Sequence, residues 1–436
     1  MTKFRRATLG GLALAAALAV APTAAYAGGF SLQDHDAKAL GLSNAFVATA
    51  DNPSAIFYNP SGMHVLDGMQ GSANVVVIAP ILDYDPDPGE GEDAEGRMDP
   101  AVIPALFGTV QLGDYFHFGM GSFTPFGLAT KYPRFWAGRY ISIEAEIQTI
   151  VLNPNLVFHI PIGDENVFAI GAGLEVLYGS VLLKRAVDFR FLGEPDGFVN
   201  LYGDTETLSL GWNVSAMITL FDRKVRLGGG FRSDHANELG GEVKIRGRAE
   251  FINTPAAAML PRATGARADI PLPSTAAAGV AVEPIDGLSV EVDFRFQKWS
   301  VLDEVSLRVR HRPDTKIFFD WHDTIAVAGG IEYKIIKDQE KATLNELAVR
   351  IGTFYDQTPV NRDTFSPTVP DHDRYGGSVG LGVKLMDMFS ADVAYLFVYL
   401  DSPEKENTNG AENGGTANGT YSAQAHLIAI TLGLKF

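Results

Sequence analysis

Cysteine is absent from this sequence of 436 residues, which excludes a disulfide scaffold, a zinc site with cysteine ligands and a thiol nucleophile. Charged residues are few, at 20% against 46% apolar residues, and a disordered chain is therefore excluded. Positively charged residues are also in the minority, with 35 Lys and Arg against 52 Asp and Glu, and they form no Lys/Arg-rich run. Nucleic acid is therefore not an expected partner.

Long apolar runs are missing as well, apart from the first 27 residues. Residues 1–27 combine three early basic residues, a short apolar stretch at 9–20 and an A-x-A cleavage sequence at 25–27. They predict a signal peptide and an exported protein that starts at Gly28. No later run approaches the ~20 residues of a spanning helix, so we expect any membrane crossing to use strands.

From about residue 69 onward, apolar residues alternate with small or polar ones. Within 208–220 the even positions are all apolar, and within 288–297 apolar residues alternate with Ser, Glu, Asp, Arg and Gln. A period of two predicts β-strands. The two faces fit either a soluble sandwich, which buries the apolar face, or a transmembrane barrel, which turns it towards lipid.

The lengths of the connections separate these two alternatives. Short links are expected near 113–114, 161–166, 222–223, 284–287, 337–345 and 386–388. Long links, polar or rich in Pro and Gly, are expected at about 81–99, 126–144, 190–204, 234–267, 300–320, 359–373 and 402–419. This strict alternation is typical of outer-membrane barrels, which have short periplasmic turns and long outer loops. The sequence therefore predicts an all-β fold, a 14-stranded antiparallel transmembrane β-barrel formed by residues 69–436.

The last strand supports this prediction, because its alternation runs to a terminal aromatic residue, Phe436. Such an ending resembles the signal by which outer-membrane barrels are recognised for insertion. In hydrocarbon every backbone N–H and C=O must be paired, and strands achieve this only in a closed barrel.

Residues 28–68 precede the first strand and are too few for an independent domain. They predict a short helix around 36–45 and a turn at Asn59 and Pro60. Nine sizeable apolar side chains here would be costly to leave in water, namely Phe30, Leu32, Leu40, Leu42, Phe46, Ile56, Phe57, Tyr58 and Met63. We therefore predict that 28–68 form a hatch inside the lumen, with a periplasmic tail as the alternative.

The segment GGFSLQDHDAKALGLSNAFVATADNPSAIFYNPSGM, which begins at Gly28, resembles the hatch of the FadL/TodX family of outer-membrane transporters for long-chain fatty acids and other hydrophobic compounds. Matching blocks follow in order along the chain: FGLATKY, NPNLVF, GWN, FRSD, KWSVLDE and YDQTPVNRDTFSPTVPDHDRY. The resemblance implies a 14-stranded barrel with an N-terminal hatch. It also implies a hydrophobic pocket, movement of the N-terminus on ligand binding, and sideways exit through a gap at a kinked third strand.

Strand three, predicted at about 115–126, carries the residues that would form this lateral gap. Gly119 and Gly121 lie on one face of the strand, and Pro125 removes a backbone donor. Glycine weakens a strand, and proline inside a sheet is tolerated only at a bulge or an edge. The alternative is that glycine is simply common on the lumen face, as at Gly228.

The candidate substrate-binding residues lie in the hatch, around the second long loop, and at the outer ends of strands five and nine. They are Phe30, Phe46, Phe57, Phe123, Phe126, Phe135, Trp136, Arg185, Lys298 and Trp299. We expect the aromatic residues to form an apolar landing site, although an interfacial girdle is the alternative. A carboxylate on the substrate would need a positive or donor group in a partly dry site.

Strand parity places four arginines in the lumen, Arg226, Arg232, Arg295 and Arg350. The alternative is that they are solvated or belong to a wall network with acidic partners, namely Glu175, Asp293 and Asp392. Strand five departs from the pattern of the family. Where the fatty-acid transporters of the family carry basic residues, Tyr178 is followed here by Gly-Ser-Val-Leu. An aromatic or aliphatic hydrocarbon is therefore an alternative substrate.

Three runs of Asp and His, at 34–36, 322–323 and 371–373, contain the residue types of metal ligands or acid/base pairs. Adjacent side chains on an extended chain point apart, so each run would need distant partners. We expect these runs on loop surfaces.

Two other functions are alternatives to transport. A general porin would have an open, charged constriction and no hatch, whereas an outer-membrane hydrolase would need converging Ser/His or Asp/His groups. The G-x-S-x-G pattern at 376–380 lies in an alternating strand, without the turn and helix of a nucleophile elbow. We therefore predict passive uptake without enzymatic activity, cofactor or metal. The protein would act as a monomer in contact with lipid and lipopolysaccharide of a Gram-negative outer membrane.

Overall fold

A computed structural model describes residues 28–89, 92, 94–96, 100–189, 196–246, 263–310, 313–337, 343–401, 404–405 and 417–436. The predicted signal peptide, residues 1–27, lies outside these residues. No helix in the described part of the chain is long and apolar enough to cross a membrane.

Fourteen long strands make up the wall, and six of them are interrupted and have two segments. They are β1 Met69–Pro86, β2 Ala101–Leu112, β3 Phe116–Phe123 and Gly127–Lys131, β4 Glu144–Ile162, β5 Asn166–Val187, β6 Gly197–Thr205 and Ser209–Leu220, β7 Val225–Arg232 and Glu238–Arg246, β8 Ala263–Asp269 and Thr275–Ile285, β9 Leu288–Gln297 and Glu304–Val309, β10 Thr315–Phe318 and Thr324–Lys337, β11 Leu344–Asp356, β12 Arg374–Leu385, β13 Phe389–Leu400 and β14 Gly419–Lys435. Two short strands, Ala94–Gly96 and Glu404–Lys405, pair with β1 and β14 respectively. The helices are α1 Ala37–Leu40 and α2 Ala55–Tyr58, with 3₁₀ helices at Pro60–Val65, Ala137–Tyr140, Trp299–Val301 and Arg362–Thr364.

Each long strand pairs antiparallel with the next one along the chain. The circle closes between β14 and β1, which pair from Gln70 opposite Lys435 to Pro86 opposite Gly419. The predicted 14-stranded antiparallel barrel is therefore confirmed, and the sandwich is excluded.

The two faces of each strand follow the predicted parity. On β6, Leu210 and Trp212 are exposed on the outside at 74% and 48%, whereas Ser209 and Asn213 are buried at 5% and 2%. An apolar exterior and a partly polar interior are what a barrel in lipid requires.

Several predicted elements have different bounds in the structure. The expected links 126–144, 234–267 and 300–320 contain strand segments, because the strands continue to pair beyond their interruptions, as Gly127 does with Gln148. The predicted helix at 36–45 is only the four residues of α1. It ends early because Ser43 and Asn44 adopt positive φ angles of 54° and 64°.

Residues 28–68, here called the N-terminal segment, lie against inward-facing residues of the wall. Every residue from 28 to 50 except Gln33 is buried, and so are the nine apolar side chains that the sequence identified. The main apolar core of the molecule joins these side chains to inward residues such as Phe107, Phe123 and Leu396.

Candidate functional site

Two carboxylates on the inner face of β9 bind four consecutive backbone N–H groups of the N-terminal segment. Asp293 accepts from the N–H groups of Phe46 and Val47 at 2.7 and 2.8 Å. Glu291 accepts from the N–H of Ala48 at 2.6 Å, and from the N–H and hydroxyl of Thr49. Because four backbone N–H groups find acceptors here, these two residues form a polar tie between the segment and β9.

Arg232 on β7 provides a second tie. Its guanidinium donates to the carbonyls of Ile56 and Phe57 at 2.8 and 2.7 Å, and it pairs with Glu175 on β5. The same guanidinium lies 5.2 Å from the ring of Phe57 and 5.3 Å from the ring of Phe123. Arg232 therefore holds the carbonyls of α2 against the wall, and its pairing with Glu175 matches the wall network that was the alternative for the inward arginines.

The predicted turn at Asn59 and Pro60 lies where α2 ends and a 3₁₀ helix begins. The Asn59 side chain accepts from the N–H of Ser61 at 3.2 Å and donates to the carbonyl of Val47 at 2.8 Å. Asn59 therefore joins two parts of the N-terminal segment that are distant in sequence. Pro60 occupies the first turn of the 3₁₀ helix, where its missing N–H is not needed.

Phe30 fills a pocket formed by three aromatic side chains, here called the aromatic pocket and consisting of Phe126, Trp299 and Trp321. Its ring lies 4.8 Å from Trp299, 5.7 Å from Trp321 and 6.2 Å from Phe126. Phe30 and Trp299 are almost fully buried, at 1% and 0% exposure. Sequence reasoning missed Trp321, because it lies just beyond a stretch assigned to a loop.

The wall is interrupted beside the aromatic pocket, between the two segments of β3. Pairing between β2 and β3 stops at Leu106 opposite Ser122, although β2 continues to Ala101. On the β4 side, pairing stops at Phe123 opposite Val151 and resumes at Gly127 opposite Gln148, so β3 has one extra residue there. Residues 124–126, which include Pro125, are here called the β3 break.

The N-terminal segment pairs with the β3 break. Ser31 forms an isolated antiparallel bridge with Phe126. The N–H of Leu32 donates to the carbonyl of Pro125, and the N–H of Gly127 donates to the carbonyl of Phe30, both at 2.8 Å. Phe30 and the two residues after it thus occupy the aromatic pocket and cover the interruption of the wall at the same time.

Gly119 and Gly121 are the two other predicted gap residues. They lie in the first segment of β3, closer to its start than the β3 break, and contact the N-terminal segment. A side-chain carbon at Gly119 would meet the sulfur of Met63 and lie 2.9 Å from Cδ1 of Ile56. One at Gly121 would lie 2.8 Å from Phe107 and 3.0 Å from Ile56. Their small size gives room to the N-terminal segment. Other inward glycines do the same, for a side-chain carbon at Gly330 would lie 2.8 Å from Leu42.

We predict that Gly119→Val loosens the N-terminal segment, because overpacking of this kind costs roughly 1–3 kcal/mol. Trypsin cleavage after the buried Lys38 should become faster by about one order of magnitude, since cleavage follows the population of the opened form. Gly108→Val on β2 is the matched control, because nothing lies closer than 4.0 Å to its side-chain position. Equal cleavage rates for both variants would contradict the packing argument.

The aromatic residues of the second long loop do not all point the same way. Trp136 is buried at 4%, stacks on Tyr132 at 4.0 Å and donates from its indole nitrogen to the carbonyl of Ser142 at 2.8 Å. Phe135 is 73% exposed and lies beside Arg134. The structure therefore brings Trp136 towards the interior and leaves Phe135 outside.

The predicted cationic residues at the outer strand ends are not brought to the aromatic pocket. Arg185 and Lys298 are both exposed, although Trp299 next to Lys298 is fully buried. Arg350 also belongs to the wall network, since it binds Glu332 and Asp392 at 2.6 Å each.

The runs of Asp and His at 34–36 and 371–373 are mostly buried, so our expectation of loop surfaces was wrong for them. They serve the N-terminal segment instead, since Asp36 accepts from the N–H of Ala39 at 3.1 Å and Asp371 from that of Gly29 at 2.8 Å. His35 packs against Phe57 at 4.3 Å, and burial lowers the pKa of its imidazole to about 3. His35 is therefore neutral and packs as an apolar ring. Similarly, Ser378 of the G-x-S-x-G pattern contacts Ser43 at 2.9 Å.

Arg295 on β9 lines two of the cavities between the N-terminal segment and the wall, here called the first and the second cavity. The lining of the first cavity includes the polar residues Asp34, Asn44, Asp293, Asp356 and Arg374 among apolar ones. The second cavity is more apolar and extends to the β3 break. Its lining includes Leu32, Phe57, Pro125, Phe126, Glu175 and Arg232.

The chain is similar in sequence to a family of outer-membrane proteins and to individual relatives in it. The family described as "Outer membrane protein transport protein (OMPP1/FadL/TodX)" matches residues 18–436. The long-chain fatty acid transport protein of Escherichia coli O6:H1 is 24% identical over 89% of this chain and 90% of its own. The 47 kDa outer membrane protein of Pasteurella multocida is 24% identical over 97% of each chain.

Solved structures share the fold. A Pseudomonas aeruginosa FadL homologue superposes with a TM-score of 0.82 at 22% identity, covering 94% of this chain and 100% of its own. The Pseudomonas putida toluene transporter TodX superposes with a TM-score of 0.68 at 15% identity, covering 94% and 100%.

Proposed function

Since this chain belongs to the OMPP1/FadL/TodX family of outer-membrane transport proteins, we propose that it carries long-chain fatty acids or similar hydrophobic molecules passively across the outer membrane. The observation that carries this proposal is the position of Phe30, which fills the aromatic pocket while the next two residues cover the β3 break. Binding in the pocket and opening of the wall would therefore involve the same short stretch of chain. Residues 28–68 would act as the hatch of a monomeric channel.

The steps follow from these contacts. An apolar ligand that enters the aromatic pocket takes the place of the Phe30 ring. Removal of Phe30 pulls Ser31 and Leu32 away from the β3 break and releases the two backbone hydrogen bonds that Phe30 accepts from Gly127 and Leu32 donates to Pro125. The wall between β2 and β3 then has an unpaired stretch through which the ligand passes sideways.

Sideways exit suits an apolar cargo for a thermodynamic reason. Each CH₂ group that moves from water into an apolar environment gains roughly 0.8 kcal/mol, so release into lipid is favoured over release into the periplasm. No energy source is needed when the ligand moves down its gradient. A general porin is not favoured, because the N-terminal segment occupies the lumen where an open constriction would lie.

An uptake experiment tests this function. Expressed in a Gram-negative host without its own long-chain fatty acid transporter, the protein should restore uptake of labelled palmitate. Restored uptake of toluene without palmitate would favour the second candidate, a hydrocarbon channel, which rests on the uncharged sequence after Tyr178. Uptake of neither compound would contradict the proposal.

We predict that Phe30→Ala binds palmitate about tenfold more tightly than the natural chain. The ligand then no longer competes with a buried phenyl ring, whose removal typically changes stability by about 3–5 kcal/mol. Binding can be followed by the fluorescence of Trp299 and Trp321, which line the pocket. Phe389→Ala, on the outside of β13, should leave the affinity unchanged. Weaker binding by Phe30→Ala would mean that the ring holds the ligand instead of competing with it.

A further inference from the structure

Arg295 differs from the residues that flank it on the inner face of β9. Asp293 binds the backbone of Phe46 and Val47, and Gln297 donates to the hydroxyl of Ser31 at 2.8 Å. Arg295 lies between them and is half-buried. Its guanidinium makes no hydrogen bond or ion pair with any residue in the described ranges, and it faces both cavities.

The other inward arginines already have partners. Arg226 donates to Ser289 at 2.6 Å, Arg374 pairs with Asp371, and the partners of Arg232 and Arg350 are given above. A guanidinium has five N–H donors, and leaving them without acceptors in a partly dry lumen is unfavourable. Arg295 is therefore the arginine best placed to receive an acceptor from outside the chain.

The carboxylates near Arg295 are bound to other donors. Asp34 accepts from the side-chain amide of Asn44 at 2.7 Å, and Asp356 accepts from the N–H of Gly28 at 3.2 Å. Together with Asp293 they place three acidic side chains beside Arg295 and Arg374 in the lining of the first cavity. In the second cavity Arg232 already neutralises Glu175, so Arg295 supplies the excess positive charge.

We propose that Arg295 binds the carboxylate of a long-chain fatty acid whose acyl chain lies in the second cavity and points towards the β3 break. A guanidinium can hold a carboxylate through two parallel hydrogen bonds, which combine strength with a fixed direction. Leu32, Phe57 and Phe126 supply the apolar lining for the chain. This inference rests on the proposed function and selects an acid over a hydrocarbon. It also means that the tail reaches the opening of the wall before the head group leaves Arg295.

The test compares two ligands and three proteins. Palmitate and hexadecanol have the same chain and differ in the charge of the head group. Their affinities are measured with the natural chain, Arg295→Gln and Arg295→Lys in detergent, after heat-dependent gel migration shows that each barrel is folded. We expect Arg295→Gln to weaken palmitate binding by about tenfold to a hundredfold, as for loss of a charge-assisted hydrogen bond, and to leave hexadecanol unchanged. Arg295→Lys should recover part of the loss.

Each other outcome overturns a distinct claim. If Arg295→Gln weakens both ligands equally, the side chain shapes the cavity and does not recognise the charge. If it weakens neither while the natural chain binds both, the proposed role of Arg295 is wrong but the transport function stands. If the natural chain binds neither ligand, the transport function itself fails.

Discussion

Replacing Glu291 and Asp293 together with alanine should convert the closed channel into a leaky one. These side chains accept hydrogen bonds from four consecutive N–H groups at residues 46–49, and each hydrogen bond contributes roughly 0.5–1.5 kcal/mol. Every 1.4 kcal/mol lost raises the open population by about tenfold. We therefore expect small polar solutes to enter liposomes carrying the variant at least ~100-fold faster, measured by swelling in a small sugar.

Two further variants show whether the acceptors or the charges matter. Glu291→Gln with Asp293→Asn keeps oxygen acceptors of similar shape, so it should leak much less than the alanine pair. Glu242→Ala removes a carboxylate of the outer part of β7 that pairs with Lys244, and it should behave like the natural chain. If the alanine pair stays closed to sugars, the N-terminal segment does not depend on β9 for its position.

A disulfide between Ser31→Cys and Phe126→Cys should abolish uptake of the hydrophobic ligand. These residues form a non-hydrogen-bonded antiparallel pair, whose usual Cα separation of about 4.5 Å lies within the range of disulfides. The bond would hold the N-terminal segment across the β3 break and keep it closed. Because the natural chain has no cysteine, only the intended bond can form within one molecule.

The same protein serves as its own control. Uptake should fall at least ~100-fold after oxidation and return to the reduced level when a reducing agent opens the bond. Each single cysteine variant should transport equally well with and without oxidant, which separates the effect of the bond from the loss of the Phe126 ring. Equal uptake by the oxidised and reduced double variant would show that the ligand leaves by another route.

The barrel could be predicted from the sequence because the wall produces two local patterns along the chain. Lipid outside and a partly polar interior impose a period of two, and the membrane sorts short turns from long loops. The burial of the N-terminal segment could also be inferred, since side chains such as Phe46 and Ile56 are too apolar for water. These properties depend on single residues and their immediate neighbours, which is why they can be read along the chain.

The contacts inside the lumen could not be inferred in the same way. Glu291 binds the backbone of residues 48 and 49, which are more than 240 positions away in sequence. Every residue except proline has a backbone N–H, so the residue type does not show which N–H groups are bound. Parity showed that Arg295 points inwards, but only the positions of all neighbouring donors and acceptors show that it has no partner. The exposure of Arg185 and Lys298 likewise depends on the course of the chain at the outer end of β5 and between the two segments of β9, which strand parity does not show.

The N–H of Ala37 donates to the hydroxyl of Thr431 at 2.8 Å, so a residue near the start of the N-terminal segment depends on the last strand. During synthesis that strand is made when almost all of the chain already exists. The apolar side chains of the early residues therefore cannot be fully buried until translation is nearly finished. Contacts this distant in sequence are slow to form, and we expect the unfinished chain to require a chaperone that shields these residues on its way to the membrane.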